Sequence, residues 1–236
     1  MNIRSQIDTT FDFRSDTPPG KDPDAYSPTL RRYHKLLWSK SLPSGVVFKL
    51  VDTTPQVYLH HQSEMGEFWL SSDAVVPSFT LTYKIAHIIE HVPKEELDLF
   101  RSIGYTIGGM MIFPVNRIGG KMTINCARGF HPRIKERFDL TVECIRRHYL
   151  GDSSPLGDAL KRYADFFGLF QNFHGYVEFF LLQDMVTNDF SAVKFFAPFD
   201  DFKTEPIPST TRAYTAYKQL AVEFIKARNR RIFESG

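Results

Sequence analysis

Two short stretches carry residue types that could do chemistry. In HIIEH, residues 87 to 91, a helical turn would set His87 and His91 four positions apart on one face with Glu90 beside them. That is the spacing with which two imidazoles hold zinc while a carboxylate activates water, as in the inverted zinc hydrolases. A third protein ligand is required, and Glu178, Glu143 and His61 are available without the spacing selecting one. The alternative needs no metal: with Lys84, the same residues are the polar face of an amphipathic helix whose other side is Ile85, Ile88, Ile89 and Val92.

The second stretch runs from 117 to 151, RIGGKMTINCARGFHPRIKERFDLTVECIRRHYLG, with eight Lys or Arg against three Asp or Glu. Its contribution of +5 to a total of +2 leaves the rest of the chain at −3. Read as a strand, KMTINCA alternates, with Met122, Ile124 and Cys126 on one side and Lys121, Thr123 and Asn125 on the other. Arg128 follows, Gly129 permits a bend, and a helix opened by Pro132 would aim its free N–H groups and positive dipole end at that polar row. A strand end, a glycine turn and a helix N-terminus together make an anion site. Lys121, Asn125, Arg128 and Arg133 are therefore the expected ligand-binding residues. The ligand class is phosphate-bearing, a nucleotide or nucleic acid, and His131 or His148 could move a proton near neutral pH, which suits RNA cleavage or nucleotide processing. Part of the charge has a plainer explanation. Arg146, Arg147 and His148 fall in the last helical turn, where cations oppose the dipole, and Glu143 lies four residues before Arg147.

Two further readings compete with a catalytic pocket. LRRYHK at 30–35, with Trp38 and the KARNRR segment at 226–231, offers Arg31, Arg32, His34 and Lys35 for phosphate contacts and two rings for base stacking. Alternatively the 117–148 face binds an acidic protein without catalysis. A net charge of only +2 argues against a broad nucleic-acid footprint.

The elements that must position these residues follow from local signals. Residues 1–26 hold five Asp, three Pro and a Gly within 8–27 and read as an irregular segment, leaving 27–236 as one α+β domain. Ser27 and Pro28 predict a helix to Trp38. GVVFKLVDTT, QVYLHH and GEFWLSS predict antiparallel strands, as do GYTIGGMMIFPV and KMTINCA, paired as a hairpin across 116–120. Further helices are expected at 83–92, 94–102, 132–149 with Gly151 as its cap, 155–170, 174–187 and 210–233, with AVKFFA at 192–197 as a last strand. Eleven Phe between 166 and 202, several adjacent, imply helices buried on more than one side. The glycines of GYTIGG fit no nucleotide fingerprint and suggest close approach of another element.

Two cysteines without a CxxC motif imply reduced thiols. The absence of a signal-like start or a 20-residue apolar run leads to the expectation of a cytoplasmic protein with no membrane partner. KMTINCARG, RFDLTVECIRRHYLG and GYVEFFLLQD taken together resemble a family of uncharacterised bacterial proteins of about this length, from SPTLRRYHKLLWSK through FFAPFDDF. That resemblance implies a single domain of bacterial type, and no activity or catalytic residue.

Overall fold

The computed structural model describes residues 6–53, 59–76 and 85–235. They form an α+β fold: a four-stranded antiparallel sheet in the order β1 (Val51–Asp52), β2 (Leu59–Ser63), β3 (Gly66–Ala74) and β4 (Met110–Pro114), set among helices. The β2–β3 turn is the tight hairpin, closing with Ser63 opposite Gly66 at φ 137°. β3 also pairs with β4, from Leu70 opposite Pro114 to Ala74 opposite Met110. β4 is buried at every position, as its run of large apolar residues requires.

The N-terminal helices are α1 (Pro23–Tyr26) and α2 (Pro28–Trp38), each opened by a side-chain cap followed by Pro. Asp22 caps α1, and Ser27 accepts from the Leu30 amide (3.1 Å) to cap α2. After the sheet residues of β3 come α3 (Ala86–Ile89) and α4 (Lys94–Gly104). Beyond β4 lie α5 (Ile124–Phe130), α6 (Phe138–Leu150), α7 (Gly157–Lys161), α8 (Ala164–Gly168), α9 (Phe173–Phe179) and the long α10 (Thr211–Ser235).

Several expected elements differ, each for a local reason. The strand KMTINCA is instead α5. Thr123 turns its hydroxyl to the Cys126 amide (3.3 Å) as an N-cap, and helical spacing then buries Ile124, Ala127 and Arg128 together. Alternation fails because Met122 is exposed, and β4 consequently has no hairpin partner after it. Pro132 opens a turn, not a helix: Lys135 and Glu136 both take positive φ, so α6 begins only at Phe138. Its C-cap Gly151, at φ 78°, is as expected. AVKFFA forms no strand beyond one bridge between Val186 and Val193, and GVVFKLVDTT contributes only one bridge at Val47 and the two residues of β1. The helix at 155–170 is broken into α7 and α8, and that at 174–187 ends at Phe179. Residues 83 and 84 of the 83–92 helix lie outside the described residues. Nor is the N-terminal segment only surface, since Ile7 and Phe13 are buried in the core.

The adjacent phenylalanines do face two ways. Phe166, Phe167, Phe179 and Phe180 are all buried, and edge contacts at 5.0–5.4 Å join Phe166, Phe170 and Phe179 into one aromatic layer with Trp38. Into this layer α10 inserts Arg228, fully buried and with no carboxylate partner among the described residues. Every guanidinium N–H has an acceptor: Nε and Nη2 donate to the Phe180 carbonyl (3.2 and 3.0 Å), and Nη1 to those of Gly108 (3.1 Å) and Met110 (2.8 Å). The last Nη2 hydrogen meets Met111 Sδ at 3.1 Å, and the group lies 5.7 Å from the Trp38 ring centre. Burial pushes the guanidinium down to about 9, still charged at neutral pH. The GYTIGG glycines make room: a Cβ on Gly108 would stand 2.5 Å from the Ile225 carbonyl of α10.

Replacing Arg228 leaves three carbonyls without donors in the core. Arg228→Met is expected to cost about 3–5 kcal/mol in urea unfolding, and Arg228→Lys to recover little, because one ammonium cannot span acceptors on two separate segments. A loss for Arg228→Met no larger than for Arg230→Met on the same helix would show that the network is not needed.

A polar cleft between the first helix and strand β3

Two adjoining cavities open where α1 lies against β3. One of about 360 Å³ is lined by Ser71, Ser72, Arg117, Thr123, Asn125 and Cys126; one of about 180 Å³ by Arg101, Gly104, Tyr105 and Glu136. They meet at Asp22, Asp24 and Asp73, which line both.

The local sequence explains how these side chains arrive there. The Asp22-Pro23 pair starts the single turn of α1, which carries Asp24 to the sheet. β3 presents Ser71, Ser72 and Asp73 at its end, where the strand is only half-buried. The Thr123 cap sets the first turn of α5, placing Asn125 so that its Nδ2 donates to Ser71 Oγ (3.2 Å) and the Ser72 carbonyl (3.4 Å). A carbonyl can only accept, so the amide orientation follows and Asn125 Oδ1 is the atom left over. It is covered from solvent and has no hydrogen-bond donor among the described residues, and the same holds for Asp24 Oδ1. Arg101 Nε is a third such atom, a donor, in the smaller chamber.

The electrostatics are dominated by carboxyl groups. Burial holds the Asp24 carboxyl well above its ordinary range, reinforced by Asp73, Asp22 and Glu136 and opposed by Arg128. Asp73 is also raised, by burial and by Glu136, against the pull of Arg128. Tyr105 is pushed up to about 12 by burial and by Asp24 and Asp22. The serines are tied to the core. Trp38 Nε1 donates to His34 Nδ1 (3.0 Å), so His34 carries its proton on Nε2 and donates to Ser72 Oγ (3.0 Å).

Of the residues expected to bind an anion, only Asn125 lines the cleft. Arg128 is fully buried: Nη1 is paired with Asp73, Nε donates to Thr141 Oγ1 (2.9 Å) and Nη2 to the Glu136 carbonyl (3.0 Å). Its charge is spent on the protein itself. Lys121 is exposed beyond the 3-10 turn at 118–120, and Arg133 donates to the Lys203 carbonyl (2.7 Å) beside Glu205. His131 ends α5 and accepts from the Arg133 amide (3.1 Å), with its pKa lowered by burial and by Arg133 and Lys135. His148 on α6 packs on Phe167 (5.1 Å), lowered by burial and by Lys161. Neither histidine lines the cleft.

The charge density of 117–151 divides in the same manner. Glu143 receives both Arg146 (2.8 Å) and Arg147 (2.8 Å), as the helical spacing implies, Arg147 also reaches Asp201 (2.5 Å), and Arg137 pairs with buried Asp139. Four of the eight cations, Arg128 included, are thus neutralised internally. In HIIEH the helix α3 ends at Ile89, so the i,i+4 face on which His87 and His91 would meet is not built; Glu90 lies 3.7 Å from His91 and all three are exposed. Among the described residues no three His, Cys, Asp or Glu side chains surround a common metal position. Of the proposed third ligands, Glu178 pairs with His174 (3.1 Å), Glu143 with its arginines, and His61 with Ser63 and the Lys49 carbonyl. In LRRYHK, Tyr33 and Trp38 are buried and cannot stack on bases, while Lys35 and Arg31 turn to Asp52.

The cleft residues that sequence reasoning missed are Asp22, Asp24, Ser71, Asp73 and Arg117. The Asp-Pro step at 22–23 was a usable signal, since it repeats the cap-then-Pro pattern of Ser27-Pro28. Nothing in the sequence joins Asp24 to Asp73.

His34 gives the cleft a pH signature. Burial, with Arg228 second, lowers its pKa from 6.5 to about 3, so the unfolded chain takes up this proton first as pH falls. Stability is therefore full above about pH 6.5 and lost below it, by about 2 kcal/mol at pH 5. His34→Gln, which can still accept from Trp38 and donate to Ser72, should flatten urea-unfolding stability between pH 7 and 5; an unchanged slope would remove His34 from the account.

No helix among the described residues is long and apolar enough to cross a membrane. No curated protein and no solved structure matches the chain. One family model does, over residues 7–232, and the chain accordingly belongs to a family of unknown function, DUF6994.

Proposed function

We propose that the cleft binds a small ligand with a cationic head, an ammonium or guanidinium, that donates to Asp24 and Asn125. The supporting observation is the pair of buried acceptors, Asp24 Oδ1 and Asn125 Oδ1, that lack donors in one cavity. Such an atom costs about 1–3 kcal/mol when unmet, and native proteins keep few of them. A positive head meets both acceptors, and the excess of carboxyl groups at Asp22, Asp24 and Asp73 favours it over a neutral donor.

The phosphate expectation moves to a different residue. Arg117, exposed at the mouth, has no hydrogen bond or ion pair with the described residues. An anionic group on the same ligand, a phosphate or carboxylate, meets it there, which makes a small zwitterion the best-fitting class.

Calorimetric titration with ethanolamine, O-phosphoethanolamine, agmatine and ethyl phosphate separates the two ends. O-phosphoethanolamine should bind tightest and ethyl phosphate weakest. Asp24→Asn should weaken every amine about tenfold or more, while Arg117→Ala brings O-phosphoethanolamine down to ethanolamine. Because its carboxyl is held high by burial and its acidic neighbours, amine binding should weaken as pH is lowered and Asp24 takes up its proton. Ethyl phosphate binding as tightly as ethanolamine, or amines indifferent to Asp24→Asn, would overturn the assignment.

A further inference from the structure

A second cavity shares no lining residue with the cleft. It holds about 830 Å³ between the segment 195–210 and the first turns of α10. That is within the ~300–1,000 Å³ of small-molecule sites. Phe195, Phe199, Ile207 and Leu220 give it apolar walls, with Phe195 and Phe199 stacked at 4.0 Å.

The walls are held in place by buried charge. Asp139 and Arg137 are paired in the core; Asp139 Oδ2 accepts from the Phe196 amide (2.9 Å) and Arg137 Nη1 donates to the Pro206 carbonyl (3.3 Å). Arg133 binds the Lys203 carbonyl (2.7 Å), and Asp200 Oδ1 accepts from the Lys203 and Thr204 amides (both 3.0 Å). A segment without regular structure is thereby tied at both ends and in the middle, so the cavity exists before anything enters it.

Its charge selects the occupant. Glu205 at the edge is offset by Arg133 at 3.8 Å. Arg212 is exposed, makes no hydrogen bond or ion pair with the described residues, and stands in the first turn of α10, which holds no acidic side chain. A cation there lies at the positive end of the helix dipole, and an anion beside it removes that cost. We propose that this cavity binds an amphipathic monocarboxylate, its hydrocarbon or aryl body against Phe195, Phe199 and Ile207 and its carboxylate at Arg212.

The probes are decanoate, decanol and decyltrimethylammonium, each titrated calorimetrically below its micelle concentration into the full chain and two variants at exposed lining positions. Ala216→Trp fills the cavity and Arg212→Glu reverses its edge charge; unchanged circular dichroism and Tm establish that both fold. Decanoate should bind wild type at one site, at least tenfold tighter than decyltrimethylammonium, should be lost in Ala216→Trp, and should exchange rank with the ammonium in Arg212→Glu. Equal binding of decanol and decanoate overturns the head assignment. Absence of saturable binding, or binding that survives Ala216→Trp, overturns the site. Self-association abolished by Ala216→Trp would assign the cavity to a second copy of the chain and overturn the small-molecule reading.

Discussion

A positive charge met by backbone carbonyls in the middle of an aromatic core organises this molecule. Burying a guanidinium is unfavourable unless each donor is met, and Arg228 meets that condition with carbonyls drawn from the turn before β4, from β4 itself and from the end of α9. Backbone dipoles do what a carboxylate does elsewhere. Because those carbonyls belong to two segments far apart in sequence, 108–110 and the end of α9, the arginine sets the relation of α10 to the sheet and to the aromatic layer at once, and Gly108 is the size concession that lets the helix approach.

The same accounting, run in reverse, distinguishes the cleft. Around Arg228 every donor is matched, whereas beside β3 two acceptors are left over within a group of carboxyls whose main internal cation, Arg128, is already shared among Asp73, Thr141 and the Glu136 carbonyl. Arg128 lowers the cost of bringing Asp73 and Asp24 together but donates nothing to Asp24 Oδ1. The cleft thus combines leftover acceptors with a hydrogen-bonded frame, in which Ser72 is anchored through His34 to Trp38.

Signals confined to a few neighbouring residues were legible. Ser27-Pro28, the Gly151 cap, the strand at GEFWLSS and the Glu143–Arg147 pair all depend on residues close in sequence and all stand where expected. KMTINCARG was misread because period-two alternation and an N-cap followed by an apolar i, i+3 pair fit the same letters, and tertiary burial of Ile124 and Ala127 decided between them. Arg128 was assigned to a ligand because no partner is visible in its local sequence; that partner, Asp73, is 55 residues away. Asp24 was passed over within an Asp- and Pro-rich run whose composition describes loops, although packing against β3 half-buries it and covers one carboxylate oxygen.

The sequence separations in the Arg228 network carry a consequence for biosynthesis. Its acceptors at Phe180, Met110 and Gly108 precede it by 48, 118 and 120 residues. On the ribosome, β4 and the aromatic helices emerge with carbonyls that their own neighbourhood cannot satisfy, and the cation that satisfies them is translated afterwards. Those carbonyls therefore keep their water until α10 docks, so this part of the core closes only through a contact of high sequence separation.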